Sequence, residues 1–350
     1  MPYINDVIEK NQQTHQESVL KEAHKKNSRL SRFLFDPDEA SKILKKNIIG
    51  QDNILQSIND VLHIVKADLT PKNRPLAICL FLGPTGVGKT ETVKILARSL
   101  LGDDNAICRI DMNTLAQEHY MAALTGAPPG YVGSKENHTL FDSDKIQGSY
   151  TKPGIVLFDE IEKASQEVIK SLLNILDTGF LQLPSGTKTI DFRNSMIFMT
   201  SNVGVKTLSV YQGKFEKGLK KTLGLNPRAK KEKVILDQAL SQHFSPEFIN
   251  RIDNVIHFSA IGNSSLSDIV DLQIAAINQQ LDKRDIELFV DDSAKHFILE
   301  SYDIRYGARD IARHINQLLN AKIARIINTN FTVNQLNVSL VCRELVVTSK

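Results

Sequence analysis

The octapeptide Gly83-Pro84-Thr85-Gly86-Val87-Gly88-Lys89-Thr90 constrains this chain more than any other stretch. It fits the spacing G-x-x-x-x-G-K-[ST] and follows the apolar run 76–82, and the segment behind it carries helical apolar spacing at Val93, Leu96, Ala97 and Leu100. Strand, glycine-rich turn and helix in that order make a phosphate cradle, because backbone N–H groups can turn inward only where no Cβ obstructs them. Lys89 is then expected to meet the β- and γ-phosphates of a nucleotide and Thr90 to ligate Mg2+. The positive end of the helix expected over 91–101 faces the same anion.

Such a loop needs a parallel sheet around it, and a chain of 350 residues with 41% hydrophobic content can bury one with room for two or three domains. The net charge of +3 is too small to argue for nucleic acid globally. Cys79, Cys108 and Cys342 stand far apart with no metal-ligand or disulfide spacing, which points to a reducing compartment. No apolar run is long enough to span a bilayer and Met1 to Asp6 is not a signal peptide, so the expectation is a cytoplasmic protein with no membrane partner.

The α/β pattern continues past the loop. Residues 106–110 form a second short apolar strand, and Gly154-Ile155-Val156-Leu157-Phe158-Asp159-Glu160 is a buried strand that delivers two carboxylates at its C-terminal edge. Asp159 is expected to hold Mg2+ through water and Glu160 to polarise the water that attacks the γ-phosphate. Residues 195–200 make another buried strand, with the Asn202 amide at its end, where it can position that water. Residues 255–258 make a last one, and before it stands Arg251, suited by its fixed guanidinium to a phosphate in a neighbouring subunit. Residues 126–133, Gly-Ala-Pro-Pro-Gly-Tyr-Val-Gly, must be a loop, with Tyr131 and Val132 at its centre.

Around this core lie three less regular regions. Residues 1–46 read as a polar, helical N-terminal extension in solvent. Lys206 to Lys233 is a basic stretch around the apolar tripeptide Leu223-Gly224-Leu225. After about Ala260 the composition turns helical. An amphipathic helix is expected over 266–281, a short strand over 286–290, a long helix from 307 to 327 and two closing strands.

Taken together, these pieces resemble a Clp-type AAA+ ATPase, most closely the second ATPase module of the ClpA, ClpB and ClpC unfoldases. The resemblance covers about Lys45 to Ile327, and the motifs that carry it are the loop octapeptide, Gly-Ala-Pro-Pro-Gly-Tyr-Val-Gly, Asp-Glu-Ile-Glu-Lys-Ala, Asp-Phe-Arg-Asn, Pro-Glu-Phe-Ile-Asn-Arg-Ile-Asp and Gly-Ala-Arg. The resemblance implies a P-loop ATPase domain over 47–260, with a three-layer α/β fold on a parallel sheet, and a smaller α+β lid domain over 261–350. It implies ATP as cofactor, with Ile49 and Gly50 on the adenine side. Asn202 takes the role of sensor 1, Arg251 of an arginine finger acting in trans, and Arg309 of the sensor 2 arginine.

A trans finger implies a ring, and the family forms hexamers. Tyr131 and Val132 would line its pore and grip a polypeptide substrate. Leu223, Gly224 and Leu225 resemble the tripeptide with which protease-linked members dock on the ClpP peptidase. The chain has no peptidase pattern of its own. Where the family usually places Gly-Gly after Tyr-Val-Gly, this chain has Ser134 to His138. It shows neither a first ATPase module nor a coiled middle domain, so a single ring is expected. The reading from another class is a nucleotide-switched assembly, or a nucleic-acid remodeller that uses the basic stretch and threads no chain.

Overall fold

A computed structural model describes residues 31–116, 140–182, 189–205, 207–208, 210, 228–300, 307–330 and 333–349. These fall into two compact units. The first holds the described residues up to Lys45, then Asn53–Leu82 and Thr90–His257; the second holds Lys46–Asp52, Gly83–Lys89 and the chain from Phe258 on.

The first unit holds α1 (Pro37–Asn47) up to Lys45, α2 (Asp52–Lys66) from Asn53 on, β1 (Ala77–Leu82), α3 (Lys89–Leu101) from Thr90 on and β2 (Cys108–Asp111). The short α4 (Ser143–Gln147), β3 (Gly154–Asp159), α5 (Gln166–Thr178), the hairpin strands β4 (Phe180–Gln182) and β5 (Thr189–Asp191), and β6 (Ser195–Ser201) follow. Helix α6 (Arg228–His243), the single turn α7 (Pro246–Ile249) and β7 (Asn254–His257) complete it. The sheet has the order β2-β3-β6-β1-β7, and every pairing in it is parallel. Every residue of β1, β3 and β6 is buried, as expected for central strands covered on both faces. All five strands therefore end on one side, and Leu82, Asp111, Asp159, Ser201 and His257 are the last residues of their strands. The crevice outside those carboxyl ends is where an α/β sheet of this kind holds its ligand.

The N-terminal segment departs from expectation. The sequence reads as a solvated extension through residue 46, but from Arg32 onward it is packed. Phe33 and Leu44 are fully buried, and the Lys66 ammonium donates to the carbonyls of Phe33 and Phe35, both at 2.6 Å. Arg32 donates to Asn194 Oδ1 at 2.8 Å. The apolar residues here are too sparse to stand out in a polar stretch, yet Phe33, Phe35, Ala40 and Leu44 all find core positions. Burial also lowers the pKa of the Lys66 amine, with Asp36 opposing the shift.

The second unit is built on a three-stranded sheet of order β10-β9-β8. Strand β8 (Glu287–Val290) runs parallel to β9 (Gln335–Val341), and β9 is antiparallel to β10 (Glu344–Ser349). Its helices are α8 (Leu266–Leu281), α9 (Asp292–Glu300), α10 (Ala308–Ile315) and α11 (Ala321–Thr329). The long helix expected here is interrupted by a π-helical turn over Asn316–Asn320. Ile311, Ile315, Leu319 and Ile323 are all buried at steps of four residues. In a regular α-helix each such step drifts about 40° around the axis. The wider π turn takes up part of that drift and keeps all four on one face.

Candidate functional site

The acid end of the first unit is assembled by side-chain hydrogen bonds. Asp159 closes β3 and is 7% exposed. Thr90, 69 residues away in the first turn of α3, places its hydroxyl 3.1 Å and 3.4 Å from the two carboxylate oxygens. Thr200, buried in β6 beside β3, donates its hydroxyl to Asp159 Oδ1 at 2.6 Å and accepts from the Glu160 backbone N–H at 2.9 Å. One hydroxyl thus orients both acids. Arg109, from β2, completes the set with an Nη2 to Oδ2 distance of 2.6 Å.

Glu160 turns out of the strand in the left-handed region, with φ 57° and ψ 53°. A non-glycine residue held there is strained by about 1–2 kcal/mol, and such strain concentrates at functional sites. Its carboxylate accepts from Asn113 Nδ2 at 2.7 Å, and Asn113 is itself held by Asp111 at 2.9 Å. Asn202 lies at the end of β6, where its backbone N–H donates to Glu162 Oε1 at 3.1 Å. Sequence reasoning missed Thr200, Arg109 and Asn113 as site residues. Only strand adjacency reveals them, for example the pairing of Asp111 with Asp159 and of Phe158 with Met199.

Arg251 lies past α7, where its Nε is 3.1 Å from Asp177 Oδ1. Its backbone carbonyl accepts from Arg74 Nη2 at 2.8 Å, and Arg74 also pairs with Asp253 at 3.0 Å. Asp253 in turn accepts from the Ile78 backbone N–H at 2.8 Å, which ties this corner to β1.

In the second unit the loop Gly83–Lys89 is shaped by what its glycines lack. A Cβ on Gly83 would lie 2.4 Å from the Phe258 carbonyl oxygen. Gly307, at φ 60°, comes so close that its own Cβ would meet the Gly86 carbonyl at 2.6 Å, and the Ala308 N–H donates to that carbonyl at 2.9 Å. Arg309 is exposed in the first turn of the helix that starts there. Ile49 is half-buried; next to it Gly50 is close to Ser265, and Gln51 exchanges two hydrogen bonds with the Ser259 backbone at 2.8 Å and 3.1 Å. Lys89 donates to the carbonyls of Gly83 and Pro84 at 2.5 Å and 2.7 Å. Pro84, Thr85, Val87 and Gly88 complete the loop, with Val87 buried.

Thr90 and Asp159 supply a hydroxyl and a carboxylate, an all-oxygen donor pair that fits a hard cation such as Mg2+. Among the described residues no cluster of three or more His, Cys, Asp or Glu could hold a metal. No helix among the described residues is long and apolar enough to cross a membrane. Tyr131, Val132, Leu223, Gly224 and Leu225 lie outside the described residues, as does most of the basic stretch.

Comparison with known proteins agrees with this geometry. Residues 74–255 match the family described as AAA domain (Cdc48 subfamily), and residues 261–337 match the C-terminal, D2-small domain, of ClpB protein. A Pseudomonas aeruginosa protein named ATP-dependent protease ATP-binding subunit-like protein AmiB is 41% identical over 340 residues, covering 93% of this chain and 92% of its own. A Rhodococcus erythropolis protein named ATP-dependent protease ATP-binding subunit-like protein is 38% identical over 325 residues, with 93% and 91% covered. The chaperone protein ClpB of Bdellovibrio bacteriovorus is 39% identical over 287 residues, but these make up 81% of this chain and only 31% of that one. The chain therefore belongs to the AAA ATPase family, as a Clp-type member built like the second ATPase module of ClpB.

Proposed function

We propose that this chain is an ATP-hydrolysing ring motor that unfolds or translocates polypeptide substrates. The observation that carries the reading is the meeting of Thr90 with Asp159, with Glu160 held beside them by Asn113. In that role the loop Gly83–Lys89 grips the phosphates through backbone N–H groups and the Lys89 ammonium. Thr90 and Asp159 would hold Mg2+, which would supply neutralisation of the phosphates' charge. Glu160 takes the proton of the attacking water, and Asn202 fixes that water's position. Ile49 and Gly50 border the adenine, and Arg309 senses nucleotide from the lid.

Arg251 completes the site of a neighbouring subunit, which makes a ring, a homohexamer, the working form. The ATPase domain then spans 47–260 and the lid 261–350. Tyr131 and Val132 grip the threaded chain. Leu223, Gly224 and Leu225 are the segment with which a separate ClpP-like peptidase would dock, and the motor works in the cytoplasm without peptidase activity of its own.

Tyr131→Ala tests the threading. Unfolding of a tagged fluorescent substrate should be lost while most of the ATPase activity remains. Unchanged unfolding would sink the reading.

A further inference from the structure

Arg109 has no place in the reading above, yet its guanidinium makes a short contact with the buried carboxylate of Asp159. Asp159 is surrounded by Thr90, Thr200 and Arg109 at 3.1, 2.6 and 2.6 Å. Of these only Arg109 carries charge. The two threonine hydroxyls are placed by α3 and β6, and the Thr200 side is closed by burial. Arg109 instead emerges from β2, the edge strand of the sheet, on the face where Arg109 and Asp111 are exposed and Cys108 and Ile110 buried. Its side chain is 49% exposed while that of Asp159 is 9% exposed. One partner of the ion pair is therefore fixed and dry, and the other is free to swing into water.

The contact is charge-assisted and, at 2.6 Å, just shorter than the usual range for a guanidinium on a carboxylate. It puts a positive group against the oxygen pair that a divalent cation would use. A cation held at Asp159 and a guanidinium 2.6 Å from its oxygen repel each other. Only the exposed group can leave.

We propose that Arg109 is a positioning residue that fills the cation seat at Asp159 between nucleotides, and that Mg2+ enters by displacing it. The arginine keeps the buried carboxylate charge-balanced and aimed while the seat is otherwise unfilled. The cost of displacing it sets how much Mg2+ the site requires. The inference rests on the proposed role of Asp159 and Thr90 as the Mg2+ ligands.

The test titrates Mg2+ against the full chain at a fixed concentration of a fluorescent ADP analogue, with a melting curve in EDTA without nucleotide. Arg109→Gln should lower the Mg2+ concentration for half-maximal tightening, roughly tenfold for the loss of one charge-assisted hydrogen bond. It should also lower the melting temperature in EDTA, with the difference removed by Mg2+ and nucleotide. Arg109→Lys keeps the charge without the planar fork and should lie between Arg109→Gln and the natural chain. An Arg109→Gln midpoint that stays unchanged or rises overturns the proposal. Asp159→Asn separates the two levels. If it abolishes the Mg2+ dependence while Arg109→Gln leaves the midpoint unchanged, only the arginine's role fails. If Asp159→Asn keeps the natural midpoint, the metal assignment fails and the proposal with it.

Discussion

The acid end of the large sheet and the glycine loop of the second unit are built in opposite ways. Around Asp159 and Glu160 the positions are set by side chains. Thr200 bridges both acids, Asn113 holds the Glu160 carboxylate, and Thr90 and Arg109 hold that of Asp159. Around Gly83–Lys89 they are set by the absence of side chains, since Gly83 and Gly307 each lie where a Cβ would strike a backbone carbonyl. The first kind of construction tolerates a change of shape poorly but accepts an isostere, so chemistry can be removed with the geometry intact. The second accepts no added atom, because a carbonyl held in the backbone cannot move aside as a flexible side chain can.

The largest effect expected from this contrast is at Glu160. Glu160→Gln keeps the acceptor for Asn113 and the size of the side chain, and removes only the carboxylate proposed as the base. Steady-state turnover should fall by roughly 10²–10⁴, while nucleotide affinity measured by fluorescence and the melting temperature stay close to those of the natural chain. A large loss of affinity would show that the acid end is not separable from binding.

At the loop the same logic runs the other way. Gly307→Ala places a Cβ 2.6 Å from the Gly86 carbonyl at a φ of 60°. Relief of that clash has to distort the loop, at a cost of about 1–3 kcal/mol, so nucleotide affinity should drop roughly five- to a hundredfold. Isothermal titration against ADP measures this, and an affinity equal to that of the natural chain would break the contrast.

The smallest effect distinguishes the two by pH. His257 closes β7 in the large unit, and Asp237 Oδ1 lies 3.2 Å from its Nε2. Burial pushes the imidazole pKa down, with Asp237 opposing and Lys233 adding to the shift. The unfolded chain takes up the proton at the ordinary value near 6.5, and the folded chain only at lower pH. The stability this histidine contributes is therefore complete above about pH 6.5 and is lost as the pH falls through the native pKa. Melting temperature from pH 7.5 down to 5 should decline less steeply in His257→Gln than in the natural chain. Equal slopes would remove His257 from the account.

Much of this was legible in advance because it is local. Leu76 to Thr90 announces a strand, a cradle and a helix, and the structure has β1, the loop and α3 in that order. The helix expected over 266–281 matches α8 at both ends, since its apolar face is regular and nothing in it competes with helix. Thr200, Asn113 and Arg109 were not legible as site residues. Thr200 and Arg109 are ordinary residues within their strands and Asn113 one just past β2, and what brings each to the acids is the neighbouring strand. Nor was the docking of Phe33 and Phe35, because two aromatics in a polar stretch carry no periodicity. The π turn is an intermediate case: the steps of four residues are visible in the sequence, but that all four apolar side chains are buried is not.

What the sequence determined by itself is the set of parts that depend only on neighbours along the chain: the cradle, the strands ending in acids, and the family to which their motifs belong. What only the tertiary structure decided is which groups hold those parts in place. The strand order β2-β3-β6-β1-β7 sets Arg109 on one side of Asp159 and Thr200 on the other, and the approach of Gly307 to Gly86 shapes the loop. The physical reason is that strand adjacency and close backbone approach arise from burial of the sheet as a whole, and no short window of residues encodes them.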